Sequence, residues 1–113
     1  MNGRVYRLLA IATMIVLGSS SLLAQMNVGN IVGTIRDPTG AVVPSAKLLL
    51  INAATQLSQE AQSNSSGFYA FRTLPVGRYT LSVSLSGFQT YERTDIQVVS
   101  GETVTLDVGL VVG

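Results

Sequence analysis

The chain has 113 residues, with 7 Lys and Arg against 6 Asp and Glu, and it contains neither His nor Cys. The missing Cys excludes disulfides and a lipid-modified N-terminal cysteine, and the absence of both residue types argues against a zinc site. The charges are nearly balanced and form no basic or acidic run, which argues against nucleic acid as a partner.

The N-terminal segment, residues 1–24, has the layout of a secretory signal peptide. Arg4 and Arg7 precede an almost unbroken apolar stretch over residues 8–17, and the small residue Ala24 ends the segment. This order of charge, apolar stretch and small residue predicts cleavage after that alanine. We therefore expect an exported chain that is periplasmic, outer-membrane-associated or secreted.

The exported product is expected to begin with a short leader, residues 25–28, followed by one domain over residues 29–113. Cleavage after Ser21 is the second choice for the processing site, and an uncleaved anchor is the alternative. The apolar stretch is about half of the ~20 residues that a spanning helix needs, so we expect a mature chain without a transmembrane segment. Loss of two arginines changes the formal net charge from +1 to −1.

Beyond the leader, apolar residues alternate with a period of two, which is typical of β-strands. Turn sequences rich in Gly, Pro, Asn and Asp interrupt the alternation, the clearest being residues 37–40, 64–67 and 74–77. The pattern predicts seven strands, at residues 31–36, 46–52, 57–63, 68–72, 79–85, 91–99 and 103–110. Because most strands are apolar on one face only, we expect antiparallel pairing and two sheets packed on each other.

Two of these strands have unusual faces. Residues 48–51 are apolar on both faces, which favours a central or covered strand. Residues 57–63 are polar, which favours an edge strand protected against pairing with other chains. The predicted core consists of Ile31, Ile35, Leu48, Leu50, Tyr69, Phe71, Leu74, Tyr79, Leu81, Val83, Ile96, Val98, Val104, Leu106 and Val108.

The clearest candidate for a special role is Tyr79, which follows the turn that contains Pro75 and Gly77. This spacing predicts a tyrosine corner, in which the phenol bonds back to the backbone of the preceding turn. A ligand-stacking tyrosine is the alternative. Asp37 is assigned a structural role as well, because an Asp at the start of a turn can bond its own backbone two residues on.

The polar residues suggest no catalytic constellation. Nucleophilic catalysis lacks a His base, and Glu92 and Asp95 are predicted to lie on opposite faces of a strand. Lys47, the one lysine, is predicted to face solvent, with a side-chain isopeptide bond as the alternative. A calcium site is not favoured either, because the oxygen donors are scattered along the chain: Asp37, Asn64, Asp95, Glu102 and Asp107. We therefore predict no catalytic residue, no metal and no cofactor.

Three aromatic residues, Phe68, Phe88 and Tyr91, are not assigned to the core with the others. We expect them to close the open end of the core. The alternative is that they are grouped at one end of the sandwich and form a stacking surface for a sugar ring.

Several motifs together resemble the carboxypeptidase regulatory-like family. They include the first strand with its turn, which contains Gly33, Asp37 and Gly40, and the segment 43–48. The remaining ones are Asn64-x-x-Gly67-x-Tyr69-x-Phe71, then Leu74-Pro75-x-Gly77-x-Tyr79-x-Leu81-x-Val83, then Gly87-Phe88. The resemblance extends over about residues 29–110, and it departs from the family at Ser45, where Gly is commoner.

The resemblance implies a seven-stranded, antiparallel, Greek-key β-sandwich of the transthyretin-like or carbohydrate-binding-like kind, in which Gly33, Gly67 and Gly77 are structural. It implies no peptidase activity. An export signal followed by this module is similar to the N-terminus of Oar-like TonB-dependent outer-membrane receptors. We therefore expect a piece of such a receptor or a free-standing module.

Two functions follow as hypotheses. The first is a non-enzymatic accessory or interaction module whose partner is a protein or the rest of an outer-membrane receptor. The second is a carbohydrate-binding module that stacks a glycan on Phe88, Tyr91 or Phe68.

Overall fold

The computed structural model describes residues 27–113, which form strands and turns and contain no helix. The predicted signal peptide and the first half of the leader lie outside the described residues. The strands are β1 (Val28–Arg36), β2 (Lys47–Asn52), β3 (Ser58–Gln62), β4 (Phe68–Pro75), β5 (Gly77–Ser84), β6 (Tyr91–Val98), β7 (Thr103–Thr105) and β8 (Val108–Gly109).

The strands form two four-stranded sheets, as the two-faced alternation predicts. In the first sheet β1 lies between β4 on one side and β7 and β8 on the other, and the second sheet has the order β3-β2-β5-β6. The chain crosses repeatedly from one sheet to the other, so that consecutive segments cover the same interior. The expectation of wholly antiparallel pairing is wrong, because β7 and β8 run parallel to β1.

The number of strands in residues 27–113 is eight and not seven, because the last predicted strand is interrupted. At the break the Leu106 N–H donates to the carbonyl of Val32, 2.8 Å away. The next bond is made by a side chain: Asp107 Oδ1 accepts the N–H of Thr34 at 3.0 Å. A carboxylate thus takes the place of a backbone carbonyl in the ladder and separates β7 from β8.

The second sheet confirms the two predictions about unusual strands. β2 is central, with Leu49 and Ile51 half-buried on its outer face. β3 is an edge strand, and most of its residues are exposed.

The interior contains the predicted core with one exception and three additions. Val104 is half-buried, because the short β7 lies at the edge of its sheet. Val43, Ala46 and Leu110 are buried in addition to the predicted residues. Tyr69 and Phe71 pack edge to face inside the core, with ring centroids 6.1 Å apart.

Candidate functional site

Tyr79 is buried, with 3% of its surface exposed, and its ring belongs to the core. Its hydroxyl donates to the carbonyl oxygen of Pro75, four residues back, at 2.7 Å. The phenol therefore ties the start of β5 to the end of β4 across the turn at Val76.

The three glycines singled out from the sequence have different surroundings. A Cβ at Gly33 would lie 1.9 Å from the carbonyl oxygen of Leu106, so only glycine lets β1 approach that segment. Gly67 has a φ of 73° and a Cβ there would lie 2.8 Å from the oxygen of Ile35. At Gly77 the nearest atom to a Cβ would be an amide nitrogen of Asn52 at 3.7 Å, which is an ordinary contact.

Asp37 organises the turn after β1. Its Oδ1 accepts the Thr39 hydroxyl at 2.6 Å, the Thr39 N–H at 2.9 Å and the Ala41 N–H at 3.1 Å. The hydrogen bond from the Thr39 hydroxyl, followed by the backbone N–H groups, lowers the pKa of the Asp37 carboxyl below its usual value. This carboxylate is therefore part of the turn.

Polar groups that sequence reasoning missed are also bound to backbone. The buried hydroxyl of Ser63 accepts the N–H of Ala46 at 2.9 Å and donates to the carbonyl of Val43 at 2.8 Å. Asn52 Oδ1 accepts the N–H groups of Ala54 and Thr55 at the end of β2. The sequence could have indicated the Asn52 bonds, because an Asn before a short polar segment can bond the backbone of the turn that follows it. No such pattern marks Ser63.

Tyr69 is a second tyrosine with a structural bond. Its hydroxyl donates to the carbonyl oxygen of Leu106, next to the position where Gly33 makes room. Burial raises the pKa of the Tyr69 phenol, and the nearby carboxylate of Asp107 raises it further. The phenol therefore remains protonated and keeps donating.

Two of the scattered oxygen donors accept hydrogen bonds from backbone N–H groups. Asn64 Oδ1 accepts the N–H groups of Ser66 and Phe68, and Asp107 caps the Thr34 N–H. Within residues 27–113 no three acidic side chains cluster at a position suited to a metal ion.

The expectation that Glu92 and Asp95 lie on opposite faces is wrong. β6 has an extra residue opposite β5 between the pairs Tyr79–Ile96 and Leu81–Arg93, and Asp95 has a φ of 57°. This bulge reverses the alternation of side chains, so that Asp95 lies on the outer face together with Glu92. There its Oδ1 lies 3.6 Å from Nη1 of Arg78.

The three aromatic residues do not share one face. Phe88 and Tyr91 are half-buried and pack against the core. Phe68 lies on the outer face of the first sheet, opposite Thr34, with 37% of its surface exposed. Tyr91 also borders an open cavity of about 220 Å³, whose lining includes the polar side chains of Gln89 and Glu92.

β3 is a free edge of the second sheet, and most of its residues are exposed. On the inner face, a cavity of about 120 Å³ is lined by Leu50, Leu57, Pro75 and Tyr79 among others. Leu57 is 72% exposed. The outer face carries Lys47 and Glu60, 4.0 Å apart and both well exposed, so their attraction contributes little to stability.

The model of the carboxypeptidase regulatory-like domain matches residues 30–111. The chain belongs to the carboxypeptidase regulatory-like family. The family's domain is a non-catalytic fold. A search of curated proteins found no significant match.

Solved structures share the fold of this carboxypeptidase regulatory-like domain. The TIE protein of Bacillus anthracis is 20% identical with a TM-score of 0.63, and the match covers 76% of this chain and 17% of that one. A proposed carbohydrate-binding protein from Bacteroides uniformis is 22% identical with a TM-score of 0.60, covering 73% and 40%. The 3-chlorocatechol 1,2-dioxygenase of Rhodococcus opacus is 9% identical with a TM-score of 0.62, covering 78% and 61%.

At these identities the likeness shows the fold alone. The match spans less than two thirds of each of those three proteins. Over residues 27–113 of the carboxypeptidase regulatory-like chain, there is no helix with the length and apolar character needed to cross a membrane.

Proposed function

We propose that the chain is a non-catalytic, exported β-sandwich that acts as an interaction module, related to the periplasmic N-terminal extension of TonB-dependent outer-membrane receptors. The proposal rests on the hydrogen bonds that the polar side chains make. Those of Tyr69, Tyr79, Asn52 and Ser63 are bonded to backbone groups of the fold. They hold loops and strands together, so the exposed surface and sheet edges remain for a partner.

Export and the receptor relationship are tested together. The full chain is expressed in a Gram-negative host, and the N-terminus of the product in each envelope fraction is determined by mass spectrometry. We expect a periplasmic or outer-membrane product that begins at Gln25. Recovery of the uncleaved chain in the inner membrane contradicts export. A downstream reading frame that continues into a receptor plug supports the receptor relationship, and a stop directly after Gly113 favours a free-standing module.

A carbohydrate-binding module is the second candidate, favoured by the cavity beside Tyr91. A half-buried aromatic ring next to Gln89 and Glu92 offers a stacking surface with hydrogen-bonding groups at its rim. A glycan array distinguishes the two functions. Specific binding that is lost in Tyr91→Ala but kept in the control Phe68→Ala, which removes an exposed aromatic ring from the other sheet, supports the carbohydrate module. Absence of glycan binding in the wild type favours the interaction module.

A further inference from the structure

The register of β3 shows which of its backbone groups face away from the sheet. At one end of the β2–β3 pair the Ser63 N–H donates to the carbonyl of Ala46 at 3.0 Å, and at the other the Asn52 N–H donates to the carbonyl of Leu57 at 2.9 Å. In an antiparallel ladder, bonded pairs alternate with non-bonded ones. Residues 57, 59, 61 and 63 therefore point their N–H and C=O groups toward β2.

The intervening residues point theirs outward. Ser58, Glu60 and Gln62 each present an N–H and a C=O at the free edge, and within residues 27–113 no strand pairs with that side of β3. Such a row of donors and acceptors is complemented by the backbone of another extended strand.

The other sheet edges of the described fold are interrupted. β4 has a bulge at Thr73, whose φ is 58°, and β6 has the bulge at Asp95. β7 contains only three residues. β3 pairs with β2 over five residues without a register shift and contains no proline, so it is the edge best suited to receive a strand.

The two faces beside β3 differ in chemistry. A strand added at this edge would place the residue facing Gln59 on the inner face, at the mouth of the cavity lined by Leu57 and Pro75. On the outer face, the residue of the added strand opposite Glu60 would meet a carboxylate that is about two-thirds exposed and whose Oε1 lies 4.0 Å from the Nζ of Lys47 on β2. An apolar residue suits the first position and a cation the second.

We propose that β3 binds an extended segment of another protein by strand addition, and that this segment carries a basic residue opposite Glu60 flanked by apolar residues facing the inner side. The inference rests on the proposed interaction function and names the surface that performs it. Three outward-facing residues supply backbone bonds, while the inner cavity and the carboxylate select the sequence.

The charge on β3 argues against a second copy of the chain as the occupant. Symmetric antiparallel pairing that uses all three outward residues places Ser58 opposite Gln62 and each Glu60 opposite its counterpart. Like charges directly opposite each other destabilise a strand pair. A heterologous strand with a Lys or Arg at that position removes the repulsion and replaces it with attraction.

The test pans a phage library of random heptapeptides against the full chain. We expect enrichment of sequences in which Lys or Arg lies between two aliphatic residues. Glu60→Lys is expected to shift the enriched central residue to Asp or Glu. Glu60→Pro removes an outward N–H together with the carboxylate, while the bonds to β2 are made by the neighbouring residues, and it should weaken a selected peptide by about tenfold.

Glu102→Lys is the matched control, because it reverses an exposed charge in the turn between β6 and β7 and should leave the selection unchanged. Circular dichroism verifies that each variant is folded. If Glu60→Pro does not fold, the charge reversal in Glu60→Lys remains as the deciding variant.

Amide hydrogen exchange locates the bound peptide. In the free chain the amides of Ser58, Glu60 and Gln62 should exchange rapidly and those of Gln59 and Ala61 slowly, and a bound peptide should protect the first three. If the amides of Ser58, Glu60 and Gln62 are already protected in the free chain at low concentration, the chain covers its own edge and the proposal is wrong. Protection that grows with protein concentration alone indicates a second copy and also overturns it.

Two further outcomes separate this inference from the proposed function. If no peptide is enriched, or if a peptide protects a different edge, strand addition at β3 is wrong while the interaction module remains. Specific glycan binding lost in Tyr91→Ala contradicts the interaction module itself.

Discussion

Tyr69 donates its phenolic hydrogen to the carbonyl oxygen of Leu106, which lies 37 positions later in the chain. The bond joins β4 to the segment between β7 and β8, on either side of β1, and it is buried. Tyr69→Phe leaves the Leu106 carbonyl without this donor, so we expect a loss of about 1–3 kcal/mol in the free energy of unfolding. Urea denaturation with an unchanged m-value measures it, and an unchanged midpoint would contradict a structural role.

The hydroxyl of Tyr79 makes a similar bond in a less enclosed place, to the carbonyl of Pro75. Tyr79→Phe is expected to cost on the order of 1 kcal/mol, because water can reach the freed carbonyl more easily. A thermal melt of this variant beside Tyr69→Phe tests the ranking. A larger loss of stability for Tyr79→Phe than for Tyr69→Phe would show that the hydrogen bond from Tyr79 to Pro75 contributes more than its partial burial suggests.

Gly33 lies against the backbone of the segment that Tyr69 binds. Gly33→Ala would place a methyl carbon 1.9 Å from the Leu106 oxygen, so β1 and that segment must separate. We expect destabilisation of about 3 kcal/mol, measured by urea denaturation. Gly109→Ala is the control, because a Cβ there meets no atom within 4 Å, and it should be nearly neutral.

Ser45 has a φ of 63°, in the left-handed region that favours glycine. Ser45→Gly should therefore stabilise the domain by about 1 kcal/mol, which raises the Tm by roughly 4–8 °C for a domain of this size. Ser45→Ala keeps the Cβ and should give no gain. Equal melting temperatures for the wild type and Ser45→Gly would show that flexibility of the unfolded chain cancels the relief.

The turn at Asp37 should make stability depend on acid pH. Its pKa is lowered in the folded chain, mainly by the hydrogen bond from the Thr39 hydroxyl. The folded state thus favours the ionised carboxylate, so the stabilisation is fully present above the unfolded pKa of about 3.9 and is lost as the pH falls through the lower, folded value. Thermal melts of the wild type and Asp37→Asn should differ most above pH 5 and converge toward pH 2. If the difference in melting temperature between the two proteins stays constant with pH, the ionisation of Asp37 does not cause the dependence of stability on pH.

The alternation of side chains predicts the faces of the strands well, because burial of one face imposes a period of two on the sequence. It does not predict which strands become neighbours or their direction. The parallel pairing of β7 and β8 with β1 depends on how the chain crosses between sheets. The bulge at Asp95 was not predicted for a similar reason. A residue of β6 is recognised as extra only when its pairing with β5 is known.

The proposed binding edge was predictable in part. The polar character of residues 57–63 is enough by itself to indicate an edge strand. Which backbone groups of Ser58, Glu60 and Gln62 face outward requires the register with β2, and the cavity beside Leu57 requires the position of Pro75 from the other sheet. Short sequence patterns contain neither kind of information.

The central position of β1 has a consequence for the order of events during synthesis. The ribosome releases β1 early, yet the bond from Thr34 to Asp107 joins residues 73 positions apart. Contacts so distant in sequence form slowly, because a long loop must close before they are made. A chain that has not reached residue 103 therefore leaves one side of β1 without its neighbours, and the first sheet closes only after residues 103–109 have been added.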